Sequence, residues 1–178
     1  MKALHVLAAI GIASLATAAS AQNWNEIIDA PFCPHPTGQP TVGVGALLTI
    51  SGFGEFTPGT STYDADLYCV HIDGQFTAST IGGATWDTML ALYTPNCTTQ
   101  LAFNDDTGGL QSFISGTVAP GDYILAISRF SNFAFDGPGN GANPYRIDLT
   151  GMSYCQVPAP GAAALLGLGG LVAVRRRR

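Results

Sequence analysis

The sequence predicts an all-β domain, an antiparallel β-sandwich of about eight strands, flanked by an N-terminal signal peptide and a short C-terminal hydrophobic helix. Three observations carry this. Between residues 41 and 152 the chain breaks into short runs of alternating or β-rich apolar character. Gly, Pro, Asn and Asp separate those runs at strand-like intervals. No stretch of roughly ten residues in that region carries a helical apolar stripe.

Residues 1–21 read as a secretory signal peptide. Lys2 supplies the positive start, residues 4–18 are apolar, and Ala19, Ser20 and Ala21 form a small-residue cleavage site. Ala21 is the expected processing point, with the general secretory machinery as partner. Export implies an oxidising compartment. All four cysteines (Cys33, Cys69, Cys97 and Cys155) fall after that point. An even number without CxxC spacing argues for two disulfides rather than zinc. Three connectivities remain open; the pairing expected is Cys33 with Cys155, tying the domain's ends, and Cys69 with Cys97.

Residues 22–156 form the domain. They hold all twelve acidic residues but only two cations, Arg129 and Arg146, leaving a formal charge of −10. That charge repels nucleic acid and anionic membranes, and fits cations, cationic surfaces or simple solubility. Strands are expected over 45–50, 67–72, 76–80, 89–93, 101–103, 113–118, 123–129 and 145–150. Asp73-Gly74 predicts a hairpin between the second and third, and residues 120–122 predict a turn.

The tail is a second address. Val157, Pro158, Ala159 and Pro160 end the domain, since proline supplies no ladder N–H. Fourteen residues without a charge follow, 161–174, then Arg175, Arg176, Arg177 and Arg178. As a helix that run rises about 21 Å, short of a hydrocarbon core about 30 Å thick. The arginines should stay on the cytoplasmic side and leave the domain outside. This segment, 157–178, resembles the PEP-CTERM sorting signal of Gram-negative bacteria, with Ala159 where that family usually has glutamate. The resemblance implies an exosortase-type processing enzyme as partner. A plain membrane anchor of similar composition is the alternative.

The middle also resembles a known family. Asp64-Ala-Asp66-Leu-Tyr68, Trp86-Asp87-Thr88-Met-Leu90, Leu101-Ala-Phe103-Asn104-Asp105-Asp106 and Gly121-Asp-Tyr123 occur in the order found in the bacterial pre-peptidase C-terminal domain. The match spans 62–149. It implies a jelly-roll accessory module without catalysis, some members of which bind calcium or extracellular polymers such as collagen.

Candidate chemistry follows from the acids. Asp64, Asp66, Asp87, Asn104, Asp105 and Asp106 offer oxygens of the kind calcium needs, drawn from two loops. Calcium is the candidate cofactor. The spacing is not that of an EF-hand, and the acidic loop equally suits turn formation through side chain to backbone bonds. Among the aromatics, Trp24, Trp86, Phe130, Phe133, Phe135 and Tyr145 either stack on sugars or cover the end of the core. Catalysis has little support. His35 and His71 stand without a nucleophile at an interpretable spacing, Ser112 included, and no hydrolase motif is present. The expectation is a non-enzymatic module for adhesion or structure, at the cell surface, associated with the outer membrane, or extracellular. Its partner would be an extracellular polysaccharide or surface polymer. A small secreted carbohydrate-active or other hydrolytic enzyme is the alternative.

Overall fold

The computed structural model describes residues 22–27, 39–54, 63–137 and 141–155. Ala21, Cys33, His35 and the tail from Val157 to Arg178 lie outside the described residues, as does the expected terminal helix. Among the described residues there are nine strands and no helix. They are β1 (Gln22–Asn25), β2 (Gln39–Pro40), β3 (Leu47–Gly54), β4 (Ala65–Ser79), β5 (Thr88–Tyr93), β6 (Gln100–Asn104), β7 (Phe113–Thr117), β8 (Gly121–Arg129) and β9 (Asn143–Tyr154). The all-β reading therefore holds. Two short pairings depart from the antiparallel rule, because β1 runs parallel to β3 and β2 parallel to β4.

The pairing path is β1-β3-β9-β4-β8-β5-β6, with β2 and β7 also on β4. Long β4 organises the molecule. Its first half pairs with β8, from Ala65↔Ser128 to Ile72↔Gly121. Its second half pairs with β7, from Gln75↔Thr117 to Ser79↔Phe113. β9 follows it along both halves, with a register shift between Ile72 and Thr77.

The shift corrects one expectation. Asp73-Gly74 does not turn the chain back; 67–72 and 76–79 belong to one strand, which ends at Ser79. Gly74 sits at φ 142°, a conformation open to glycine, and bends the strand instead. Its carbonyl accepts a bond from Val118 N–H at 3.0 Å. Each half finds a better partner elsewhere in the chain than the other half.

One core runs between the layers: Leu47, Ile50, Tyr68, Val70, Ile72, Leu90, Leu92, Leu125, Ile127, Tyr145 and Ile147 are buried within it. The central strands bury their opposite face too. There Ala65, Leu67, Met89, Ala91, Ile124 and Ala126 pack beneath Phe135. This double burial explains why 67–70 and 89–92 read as continuous apolar runs rather than alternating ones.

The disulfide joins Cys69 to Cys155, with the Cα atoms 5.6 Å apart. This overturns the expected Cys33–Cys155 and Cys69–Cys97 pairs. The reason is register: Val70 faces Tyr154 across the β4–β9 ladder, and the next position along brings Cys69 opposite Cys155. Cys97 is also disulfide-bonded. Thr41 closes the corner, donating to the Cys69 carbonyl at 2.7 Å and accepting from Cys155 N–H at 3.1 Å.

Candidate functional site

Across the β4–β8 ladder His71 faces Asp122. Its Nδ1 lies 2.7 Å from Asp122 and its Nε2 3.2 Å from Asp73. The hydrogen bond to Asp122 raises the imidazole pKa, against the opposing effect of burial and with help from Asp73. Because the folded value lies above the unfolded one, this contribution is complete below about pH 6.5 and fades as pH rises through the folded value. The ring is partly exposed, so the contribution is at most about 1 kcal/mol. His71→Asn is expected to lower the melting temperature at pH 5.5 and much less at pH 8.5. A difference independent of pH would contradict this.

The structure divides the six expected metal ligands into two groups. Asp64 and Asp66 are buried, 2% and 1% exposed, at the start of β4. Asp87, Asn104, Asp105 and Asp106 lie at the same end of the sheet but on the far side of β8, because Ser128 faces Ala65 on one side and Met89 on the other. Asn104 is committed to the turn. Its Oδ1 accepts from Thr107 at 2.8 Å and Phe113 N–H at 2.9 Å, and its Nδ2 donates to the Asp106 carbonyl. These are the side chain to backbone and side chain to side chain bonds of a turn former. Asp87 is raised by burial first, then by Asp106 and Asp105, with Arg129 opposing. Among the described residues, the three His, Cys, Asp or Glu donors that approach within 4.8 Å of one another are Cys69, Asp122 and Cys155. Two of these are consumed in the disulfide.

The buried group gains a member that sequence reasoning missed. Glu26, just after β1, hydrogen-bonds through its side chain with Asp66. Its Oε2 accepts from Phe53 N–H at 3.0 Å. Tyr145 Oη donates to Asp66 Oδ2 at 2.6 Å, which leaves Tyr68 Oη to donate to Tyr145. Gly52 makes this approach feasible: a Cβ there would stand 2.5 Å from both Glu26 Oε2 and Tyr145 Oη. Above Glu26 and Tyr145 opens a groove of about 570 Å³, lined also by Phe53, Gly83, Pro144 and Arg146.

Electrostatics makes this group unusual. Burial raises the Asp66 pKa well above the carboxylate range; the bond to Glu26 and the charges of Asp64 and Glu26 add to it, and Tyr145 opposes. Tyr68 and Tyr145 are likewise raised, chiefly by burial. Glu26 Oε1 and Asp66 Oδ1 are shielded from water and meet no protein donor. Two carboxyl groups in contact cannot both stay charged without a proton or a cation between them. Glu26 gave no local signal, because a lone acid after a short polar run looks like any exposed residue.

The serine weighed for catalysis and three of the aromatics weighed for stacking are held within the fold. Ser112 is fully buried and its Oγ donates to the Thr88 carbonyl at 2.6 Å, within a knot that includes Thr80. Trp86 and Tyr145 are buried in edge-to-face contact, 6.2 Å between centroids. Trp24, half-buried, packs on Tyr154 at 6.3 Å.

No protein-family model matches the chain, so neither resemblance read from its motifs amounts to shown family membership. No curated protein matches it either. Among solved structures it is similar to the pre-peptidase C-terminal domain of collagenase from Bacillus anthracis. The identity is 13% and the TM-score 0.39, over 74% of this chain and 97% of that one. A likeness that distant carries no statement about activity or ligand.

Proposed function

We propose that this chain is a non-enzymatic exported module of the cell surface or extracellular matrix, delivered by the secretory route and sorted through its C-terminal segment. In it the Glu26–Asp66 pair takes a calcium ion that fastens the N-terminal strand to the sandwich. That carboxyl pair is the single observation on which the calcium site rests; the export reading rests on residues 1–21 and 157–178. Hydrolytic carboxylates stand about 5–9.5 Å apart with substrate between them. Glu26 and Asp66 interact directly, side chain to side chain, and Asp66 is 1% exposed. Such a pair is built to hold something small.

Calcium suits the donors better than other cations. It takes six to eight oxygens from carboxylates, carbonyls and water, with loose geometry. Glu26 Oε1 and Asp66 Oδ1 are buried without a hydrogen-bond partner, and buried Asp64 adds a third carboxylate to the neighbourhood. Among the described residues the three carboxylates are not gathered within 4.8 Å of one another, so binding would tighten the cluster around the Glu26–Asp66 pair. Disulfide-bonded Cys69, Cys97 and Cys155 support an oxidising destination.

Mass spectrometry of the protein from its own cells tests the export reading. The expected result is a first residue at Gln22, intact disulfides and a processed tail beyond Gln156. A cytosolic protein with Met1 in place and reduced thiols would overturn it. Hydrolysis of a glycan or ester by the purified protein, abolished by Glu26→Gln, would replace the module with the hydrolase.

A further inference from the structure

We propose that the exposed rings of Phe103, Phe130 and Phe133 form a stacking platform for a neutral polysaccharide chain. This names the binding partner of the surface module and rests on that reading.

The platform is built from the core outward. Phe135, fully buried, packs edge-on against Tyr93 at 6.0 Å and Phe103 at 6.3 Å. On that base Phe103 meets Phe133 at 6.2 Å, and Phe133 meets Phe130 at 5.8 Å. The three outer rings are 39%, 58% and 42% exposed in the order Phe103, Phe133, Phe130. A loop serving only as a hydrophobic cover would bury them. Leaving them in water forgoes transfer energy, and contiguous exposed apolar surface of this kind usually marks an interaction site.

The loop is also held stiffly. Asn132, 3% exposed, donates to Ser128 Oγ at 2.8 Å and to the Asp136 carbonyl at 2.7 Å. Phe135 N–H donates to the Asn132 carbonyl at 3.0 Å. Ser131 and Phe135 adopt φ of 78° and 47°, a left-handed conformation that side chains other than glycine rarely take. Such strain persists where the surroundings fix it, and it gathers at binding sites. Here it buries one ring and presents two.

Charge identifies the occupant. Phe130 N–H donates to the Asp87 carbonyl at 3.0 Å, so the rings adjoin the Asp87, Asp105, Asp106 and Arg129 group. Carboxylates accept from hydroxyls, a guanidinium donates to ring and hydroxyl oxygens, and aromatic faces cover the apolar C–H faces of a pyranose. Three carboxylates against one guanidinium repel a polyanion. A peptide adding a strand would need the backbone edge of β6. The rings instead lie over the sheet face that Phe135 covers, and two come from a loop. The rings are tilted against one another, 49° between Phe103 and Phe133 and 78° between Phe130 and Phe133, so they do not present one flat face to a crystal surface.

The exported protein, with disulfides intact, would be run through native gels containing hydroxyethylcellulose, laminarin or xylan, with alginate and gelatin as the anionic and protein arms. Retardation by at least one of the three neutral glycans is expected. Phe133→Ala and Phe130→Ala should each weaken it roughly tenfold, a magnitude consistent with losing one ring contact. The melting temperature should hardly move, since both rings are half in water. No retardation by any neutral glycan, retardation indifferent to both substitutions, or binding to alginate or gelatin alone would overturn the platform. A correctly processed, disulfide-bonded protein that fails here sinks the platform and leaves the export reading standing.

Discussion

Replacing Cys69 and Cys155 together by alanine is expected to lower the melting temperature by about 15–25 °C, the largest single effect in the molecule. The two cysteines are 86 residues apart in sequence. In the chain-entropy treatment, a loop that long removes about 4–5 kcal/mol of disorder from the unfolded state. A domain of this size has a total stability of roughly 5–15 kcal/mol, so the loss is a large share. The native state suffers too, because Thr41 bonds both cysteine backbones and is itself fully buried. Circular dichroism melts of the double variant and the parent provide the check. A fall of only a few degrees would show that the β4–β9 ladder holds this corner without the cross-link.

The second large effect concerns the buried acids. Calcium at a hundredfold excess over its dissociation constant would add about 2.7 kcal/mol by mass action. For a domain of this size that is about 8–15 °C in melting temperature. Asp66→Asn is expected to abolish the calcium-induced rise, because it removes one of the two interacting carboxylates while keeping the shape. Tyr145 would still donate to the remaining side-chain oxygen. The behaviour in chelator runs the other way. The folded pKa of Asp66 is raised by burial and by its acidic neighbours. Its contribution is therefore complete below the unfolded value of about 4 and lost as pH rises through the folded one. Metal-free protein should accordingly melt lower at pH 8 than at pH 5, and Asp66→Asn should flatten that slope. Equal melting temperatures with and without millimolar calcium would remove the cation from the account and leave a shared proton.

The strand inventory was legible because it depends on neighbours in sequence. Six of the eight expected segments reappear as separate strands within a few residues of their expected bounds, among them Thr88–Tyr93 and Gly121–Arg129. The acids at 64, 66 and 87 marked places where the chain concentrates charge, and Asp64 and Asp66 do lie in the buried group. Asn104 was ambiguous in the sequence because a turn-forming side chain and a cation ligand have the same composition. Only its bonds to Thr107 and Phe113 tell them apart.

By itself the sequence determined an all-β chain, a strongly acidic domain and an even set of cysteines. These follow from side-chain period, turn chemistry and composition, each readable over a few adjacent residues. Tertiary structure alone decided which strands pair, and with that everything involving distant partners. It set the continuation of β4 through Asp73-Gly74, the Cys69–Cys155 bridge and the meeting of Glu26 with Asp66. Long-range pairing is a contest among many closures whose entropies differ little with loop length. The winner is the register that buries the most apolar surface and satisfies the most backbone at once, a sum no local window contains.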